Sequence, residues 1–315
     1  MFMQKTLSLK FLLLFVFITS FLFSIGQKSM VTNRVDNART GWNKEEYILN
    51  KSNVRPGSFG KIFTRTIDDM LFAQPLVVLN VNMPGVGLRN ILFVCTVNNT
   101  VYAFDADSAN IPNAYWQHTY TPANSRPAFS SDYSEGCKND YNNFPGNLAI
   151  VGTPVIDTTT EAMYFVSVTL DTLTHTFFHT LHAISILDGS EKPGSPVVVS
   201  AEVNGNGSGN VAGVVSFTPH HANQRPGLLL HGNNVIIAWG SHCDWSPYHG
   251  WMMAYDKSSL QQMAVFNSTK DGDGGGFWMS GNGISLDEDG YIYAGTGNGS
   301  VGVTGDPTNM SNRAG

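Results

Sequence analysis

Short runs of alternating apolar and polar residues recur along the chain, and turns rich in Asn, Asp and Gly separate them. Alternation with a period of two places successive side chains on opposite faces of a strand, whereas an amphipathic helix repeats about every 3.6 residues. Asn, Asp and Gly supply the backbone conformations that tight hairpin turns require. The pattern predicts an all-β protein made of antiparallel hairpins.

The predicted strands form repeating units with the order of an opening strand, a middle strand and a closing strand. Three units open at residues 74–78, 152–157 and 225–230, continue at 91–94, 163–166 and 235–239, and close at 101–105, 181–185 and 251–256. A fourth starts at 280–285 and reaches 291–294 without a closing strand. The repeats predict a β-propeller of four-stranded blades. About three and a half blades cannot close a ring, so we expect residues 73–315 to be an incomplete propeller in a fragment; an open solenoid is the alternative.

The N-terminus has the form of a secretory signal peptide, which we assign to residues 1–26. Lys5 and Lys10 precede an apolar stretch at residues 11–23, and small residues follow before Gln27. We therefore expect an exported protein, periplasmic or extracellular, whose residues 27–72 form an extended N-terminal segment. An uncleaved membrane anchor is the alternative. Nothing later approaches 18 consecutive apolar residues, so no membrane span is expected after cleavage.

The charge composition does not favour a nucleic acid partner. Only 13% of the 315 residues are charged, and 18 Lys and Arg stand against 24 Asp and Glu. A nucleic-acid-binding face needs clustered basic residues, and the sequence contains no basic block. We therefore expect no nucleic acid partner.

The three cysteines differ in their surroundings. Cys95 ends an apolar run typical of a buried strand, whereas Cys137 and Cys243 lie in polar segments. An exported protein folds in a compartment that permits disulfides. We predict that Cys137 pairs with Cys243; three unpaired thiols are the alternative.

The repeat units resemble the secreted propeller proteins of the pyrroloquinoline quinone (PQQ) repeat type. Beyond the strands, the resemblance rests on the segments at residues 37–41, 59–63, 73–76 and 240–244, and it extends from about residue 37 to residue 300. It implies a fold and does not establish that the quinone is bound.

The segment GGGFWMSGNGISLDEDGYIYAGTGN, residues 274–298, is similar to part of the quinoprotein alcohol dehydrogenases. The resemblance implies that Trp278 lies under PQQ and that Asn298 coordinates a calcium ion, with Asp244 as a further ligand. An indole face suits a planar quinone, and calcium prefers oxygen ligands. The family's adjacent cysteine pair is missing, and its aspartate base would fall beyond Gly315. The structural alternative is an inter-blade packing role for Trp278 and a tight turn at residues 295–298.

Other chemistry has less support. His175, His179 and His182 follow a strand pattern that divides them between two faces, which disfavours a zinc site. The sequence contains no nucleophile elbow, Walker loop or dinucleotide fingerprint, so hydrolase and nucleotide-dependent functions are not indicated.

Two functional classes follow from the sequence. The first is an exported binding or interaction module, in which the aromatic loop of Trp245, Tyr248 and Trp251 holds a glycan, a protein or a small molecule. The alternative is a dehydrogenase that uses PQQ and calcium to oxidise an alcohol or a sugar.

Overall fold

The computed structural model describes residues 28–138, 144 and 146–301. The predicted signal peptide, residues 1–26, lies outside these residues. Within the described ranges, no helix is long and apolar enough to cross a membrane.

The described chain is all-β apart from one short helical segment, as predicted. The first sheet contains β1 (Leu76–Met83), β2 (Gly87–Cys95), β3 (Thr100–Asp105) and β4 (Trp116–Thr119). The second contains β5 (Ser125–Pro127), β6 (Val155–Asp157), β7 (Ala162–Asp171), β8 (Phe177–Ser185) and β9 (Val197–Val198). The helical segment is a 3₁₀ turn at Ser130–Tyr133 followed by α1 (Ser134–Cys137).

The C-terminal part of the described chain continues the same plan. Small strands β10 (Glu202–Asn204) and β11 (Val214–Ser216) precede the third sheet, which contains β12 (Ala222–Asn223), β13 (Leu229–His231), β14 (Asn234–Ser241), β15 (Trp251–Asp256) and β16 (Gln262–Asn267). The last strands are β17 (Asp273–Gly274), β18 (Ser285–Leu286), β19 (Ile292–Tyr293) and β20 (Gly299–Ser300). β18 pairs with β19, and β17 pairs with β20.

Each of the three large sheets is an antiparallel meander. The first has the order β1-β2-β3-β4, the second β5-β7-β8-β9 and the third β12-β14-β15-β16. In the second and third sheets two short strands share one edge, because β6 also pairs with β7 and β13 with β14. Four positions per sheet, linked in sequence by hairpins, are the construction of propeller blades.

Consecutive sheets pack face to face through apolar side chains. In β7, Met163 and Phe165 join the core shared with the first sheet, whereas Tyr164 and Val166 join the core shared with the third sheet. A third core brings Ile236 of the third sheet against residues that follow it in the chain. The middle strands are therefore buried on both faces. The alternation predicted from sequence decides which face of the sheet a side chain occupies, but it does not decide whether that side chain is exposed to solvent.

The segment before the first sheet, residues 29–41, lies across the inner strands. Met30 forms a β-bridge with Val77, and the carbonyl of Val31 accepts a hydrogen bond of 2.8 Å from the amide of Ile156. Further along, the Arg39 guanidinium is buried and donates to the carbonyls of Leu228 (2.8 Å) and Ile284 (2.9 Å). One N-terminal segment therefore joins backbone groups of four successive repeat units.

Contacts divide the chain into two units, and residues 43–62 belong to a different unit from residues 29–42 and 63–301. Residues 43–62 form successive turns without a strand. The Glu46 carboxylate accepts hydrogen bonds from the amides of Ile48 and Leu49, and the amide of Val54 donates to the carbonyl of Asn50. Local polar contacts of this kind shape the segment.

Replacing Arg39 with Met should destabilise the sheets, because the carbonyls of Leu228 and Ile284 would then be buried without a hydrogen-bond donor. Burial already lowers the pKa of Arg39 to about 10, yet the group stays charged at neutral pH. We expect the free energy of unfolding, measured with urea, to fall by at least about 3 kcal/mol, from two or more unsatisfied groups. The exposed Arg55→Met variant is the control; equal stability of both variants would contradict this role.

Candidate functional site

A glycine-rich turn at residues 274–276 forms the centre of the candidate site. Gly274 and Gly275 have φ values of 76° and 68°, a left-handed backbone that favours glycine. A Cβ atom on Gly274 would lie 2.6 Å from the carbonyl oxygen of Asn298, and one on Gly276 would lie 3.1 Å from the Cα atom of Gly240. Glycine is therefore required both for the turn and for the close approach of its neighbours.

Trp278 follows this turn and is half-buried. The Tyr248 ring meets its indole edge to face, with 6.1 Å between ring centroids. The guanidinium carbon of Arg225 lies 5.9 Å from the centroid of the Trp278 ring, a distance at which a cation is attracted to the π-face. Gly297 approaches the indole nitrogen so closely that a Cβ atom there would collide with it.

Asp244 lies at the same site and is held by Tyr248. The Tyr248 hydroxyl donates a 2.6 Å hydrogen bond to Oδ1 of Asp244. Burial, together with the carboxylates of Asp244 and Asp273, raises the pKa of Tyr248 well above its usual value. Tyr248 therefore stays protonated and remains a donor to Asp244 at physiological pH.

Asn298 is exposed and reaches the site through its backbone. Its carbonyl accepts a 2.8 Å hydrogen bond from the amide of Gly275, while the amide of Gly297 donates to the carbonyl of Gly276 at 2.8 Å. The structure thus places Trp278, Asp244 and Asn298 around one turn, although they are far apart in sequence.

These residues do not by themselves fit a calcium ion. Calcium takes six to eight oxygen ligands, whereas one oxygen of Asp244 already accepts from Tyr248. In the part of the chain that the structure describes, no three His, Cys, Asp or Glu residues converge on a metal position.

The predicted disulfide is confirmed. Cys137, at the end of α1, is bonded to Cys243, and their Cα atoms are 5.5 Å apart, within the usual range for a disulfide. Cys95 is free and buried in the core between the first two sheets. Burial raises the pKa of its thiol far above the usual value, which makes the thiolate scarce and the side chain unreactive.

The aromatic loop proposed from sequence is placed differently from the expectation. Trp251 begins β15 and is only 2% exposed, within the core between the second and third sheets. Tyr248 is also buried, and Trp245 stacks on His221 with 4.4 Å between ring centroids. Trp251 therefore cannot present its ring to a ligand. The sequence of this segment is aromatic and polar throughout. Which of its aromatic side chains are buried is decided by the packing between sheets.

A group of buried histidines lies beside the disulfide. Nδ1 of His179 accepts a 3.2 Å hydrogen bond from the indole nitrogen of Trp239, and Nε2 donates to the carbonyl of Pro219 at 3.1 Å. Because Trp239 can only donate, His179 is the neutral Nε2–H tautomer. His242 is also buried, and its ring stacks on Tyr133 with 3.7 Å between centroids.

Ser167, His182 and Glu191 form a hydrogen-bonded trio that sequence analysis missed. Nδ1 of His182 donates to Glu191 at 2.7 Å, and Nε2 lies 2.8 Å from the Ser167 hydroxyl. The order of groups matches that of a serine hydrolase triad. Ser167, however, points into the protein from the middle of β7 and is 1% exposed. A substrate carbonyl cannot reach it, so the trio acts as a buried polar tie between strands.

Known proteins are similar to this chain in structure and not in sequence. No protein-family model and no curated protein sequence matches it. It is structurally similar to quinohemoprotein alcohol dehydrogenase ADHIIG from Pseudomonas putida HK5, with 16% sequence identity and a TM-score of 0.44 over 76% of this chain and 30% of that one. It is also similar to a europium-containing methanol dehydrogenase, with 14% identity and a TM-score of 0.45 over 76% of this chain and 32% of that one.

The chain spans about a third of the length of these two proteins. The similarity to these two dehydrogenases is one of fold alone. A shared fold does not assign residue roles, so the candidate site rests on the contacts of Trp278, Asp244 and Asn298 described above.

Acid should unfold this protein through its buried histidines. Burial lowers the pKa of His179 from 6.5 to about 4 and that of His242 well below 6.5, so the unfolded chain binds protons first as pH falls. The contribution of these neutral histidines to the free energy of unfolding is fully present above about pH 6.5. It is lost as the pH falls towards 4, by about 1.4 kcal/mol per pH unit for each such histidine. Urea unfolding between pH 7 and pH 4.5 measures this slope. His179→Gln should reduce the slope, and the exposed His175→Asn variant should not.

Ser167 should not behave as a nucleophile. We expect no covalent labelling of the native protein by a fluorophosphonate, as read by intact mass and peptide mapping, because Ser167 is inaccessible. Ser167→Ala should lower the free energy of unfolding by about 1–3 kcal/mol, since a buried nitrogen of His182 loses its partner. Stoichiometric labelling at Ser167 would contradict the structural role.

Proposed function

We propose that this protein is an exported propeller that binds a planar anionic small molecule at Trp278. The observation that carries the proposal is the combination of a half-buried indole with the Arg225 guanidinium beside its π-face. An indole offers apolar contact to a planar ring, and a guanidinium pairs with carboxylates through two parallel hydrogen bonds.

PQQ matches this chemistry, because it is a flat fused-ring quinone that carries carboxylates. Trp278 would contact its ring, and Arg225 would neutralise a carboxylate. The backbones of the glycines at 240, 276 and 297 lie close to the indole, so a ligand would contact the part of the half-buried ring that faces Arg225. Export is proposed from the signal peptide, and neither a nucleic acid nor a membrane is among the proposed partners. A glycan or a protein ligand on the loop of Trp245 and Tyr248 has less support, since Tyr248 is buried.

A dehydrogenase is the second candidate; the hydrogen bond from Tyr248, which packs on Trp278, to Asp244 supports it. Quinone bound there would supply the redox chemistry of alcohol or sugar oxidation. This activity also requires a general base and several calcium ligands, whereas no three His, Cys, Asp or Glu side chains among the described residues converge on a metal position. Binding is therefore proposed ahead of turnover.

Titration with PQQ, followed by equilibrium dialysis and by quenching of tryptophan fluorescence, tests the site. Trp278→Ala and Arg225→Met should each weaken binding at least about tenfold, equivalent to 1.4 kcal/mol. Trp42→Ala, which removes an exposed indole elsewhere, is the matched control. Equal affinity in all three variants would reject the Trp278 site.

The same titration separates the two candidates. With calcium present, dye-linked oxidation of alcohols or sugars should accompany binding if the protein is a dehydrogenase. Tight binding without dye reduction, and without sensitivity to a chelator, is the result expected of a binding module.

A further inference from the structure

The loop that carries Asp244 has an unusual backbone. Cys243 and Asp244 are consecutive and have φ values of 48° and 55°. Two neighbouring non-glycine residues in the left-handed region are costly, at about 1 kcal/mol or more each, and persist only where surrounding contacts impose them. Residues 242–248, named the site loop below, are held partly by their own hydrogen bonds, from the Tyr248 hydroxyl to Asp244 and from the amide of Trp245 to the carbonyl of His242, and partly by contacts with other segments.

The helical segment at residues 130–137, named the clamp, supplies one set of these contacts, and His221, which stacks on Trp245 and accepts from the amide of His242, supplies another. The clamp lies in the long insertion between β5 and β6, and it meets the site loop at three points. The disulfide joins Cys137 to Cys243; Tyr133 stacks on His242; and Gly136 lies so close to the Trp245 ring that it has no room for a Cβ atom. The contacts fall on the residues immediately before and after Asp244.

Two further contacts connect the site loop, and through it the clamp, to Trp278. Asp244 accepts the Tyr248 hydroxyl at 2.6 Å, and Tyr248 packs against Trp278. The Ser246 hydroxyl also donates a hydrogen bond to the Asp273 carboxylate at 2.9 Å. This bond anchors the site loop to β17, which leads into the glycine turn. A shift of Cys243 therefore changes the position of Asp244 and Tyr248 relative to Trp278.

We propose that the clamp is a redox-sensitive positioning device: the Cys137–Cys243 disulfide holds Asp244 and Tyr248 at the Trp278 site, and reduction releases them. Its effect on ligand affinity rests on the proposed function; its effect on the site loop does not. Neither cysteine touches the ligand position, so both are positioning residues.

The chemistry requires a dithiol as the reductant. Its thiolate attacks one sulfur of the disulfide, and the mixed disulfide that forms is displaced by the second thiol of the same molecule. Two cysteine thiols and one cyclic disulfide of the reductant result, so two electrons and two protons pass to the protein. Cys243 lies in an exposed turn, whereas Cys137 is buried, and attack from the Cys243 side is therefore expected.

Amide hydrogen exchange of the folded protein, with and without dithiothreitol, tests the device. Reduction should increase exchange at least about tenfold in residues 242–248, corresponding to a loss of 1.4 kcal/mol of local stability, while β14 and β15 stay protected. Reoxidation should restore protection. The Cys137→Ser/Cys243→Ser double variant should resemble the reduced protein and should not respond to dithiothreitol, which controls for effects of the reductant elsewhere.

Two results would overturn the proposal. Unchanged exchange in residues 242–248 after complete reduction, verified by intact mass, would show that the disulfide does not hold the loop. Uniformly increased exchange, including β14 and β15, would show that it only stabilises the whole fold.

Ligand binding is then measured on the same samples with PQQ. Weaker binding after reduction, in step with the increased exchange of the site loop, supports the proposal. If the oxidised protein does not bind PQQ, the proposed function fails, and the exchange result alone decides whether the clamp positions the site loop.

Discussion

Face-to-face packing of consecutive sheets is the constraint on which the rest of this structure depends. β7 illustrates it, because Met163 and Phe165 enter one inter-sheet core while Tyr164 and Val166 enter the other. A middle strand can be apolar on both sides only if sheets cover both of its faces. This burial fixes each sheet relative to the next and allows polar groups such as Ser167 and His182 to be enclosed as hydrogen-bonded ties.

The candidate site, in contrast, lies where this regular packing is interrupted. The glycine turn at residues 274–276 allows the backbone at Asn298 to approach it closely. This approach brings Asn298 and Trp278 to the same turn. The insertion between β5 and β6 adds a helical segment that reaches across to the loop of Asp244 through the disulfide. The candidate site is thus assembled from loops that the stacked sheets carry, which is the usual division between scaffold and site.

Much of the fold could be predicted from sequence because strand alternation and turn residues are local signals. These signals predict the opening, middle and closing strands of three units, whereas the Cys137–Cys243 pair was predicted from the polar segments around both cysteines and from export. Burial was harder to predict from sequence. Trp251 belongs to a segment that was predicted as an aromatic loop, but its ring packs between two sheets. The Ser167, His182 and Glu191 trio carries no motif, because register between neighbouring strands and a following turn brings its members together.

The sequence by itself determined the all-β class, the repeat units and the residue types available at the site, since these follow from periodicity and composition. Tertiary structure alone decided which aromatic residues are buried, that Arg225 lies beside Trp278, and that Cys137 is bonded to the residue before Asp244. The physical reason is that strand patterns specify the face on which a side chain lies, whereas its neighbours depend on how separate sheets and loops pack, and that packing joins residues more than a hundred positions apart, such as the 106 that separate the two bonded cysteines.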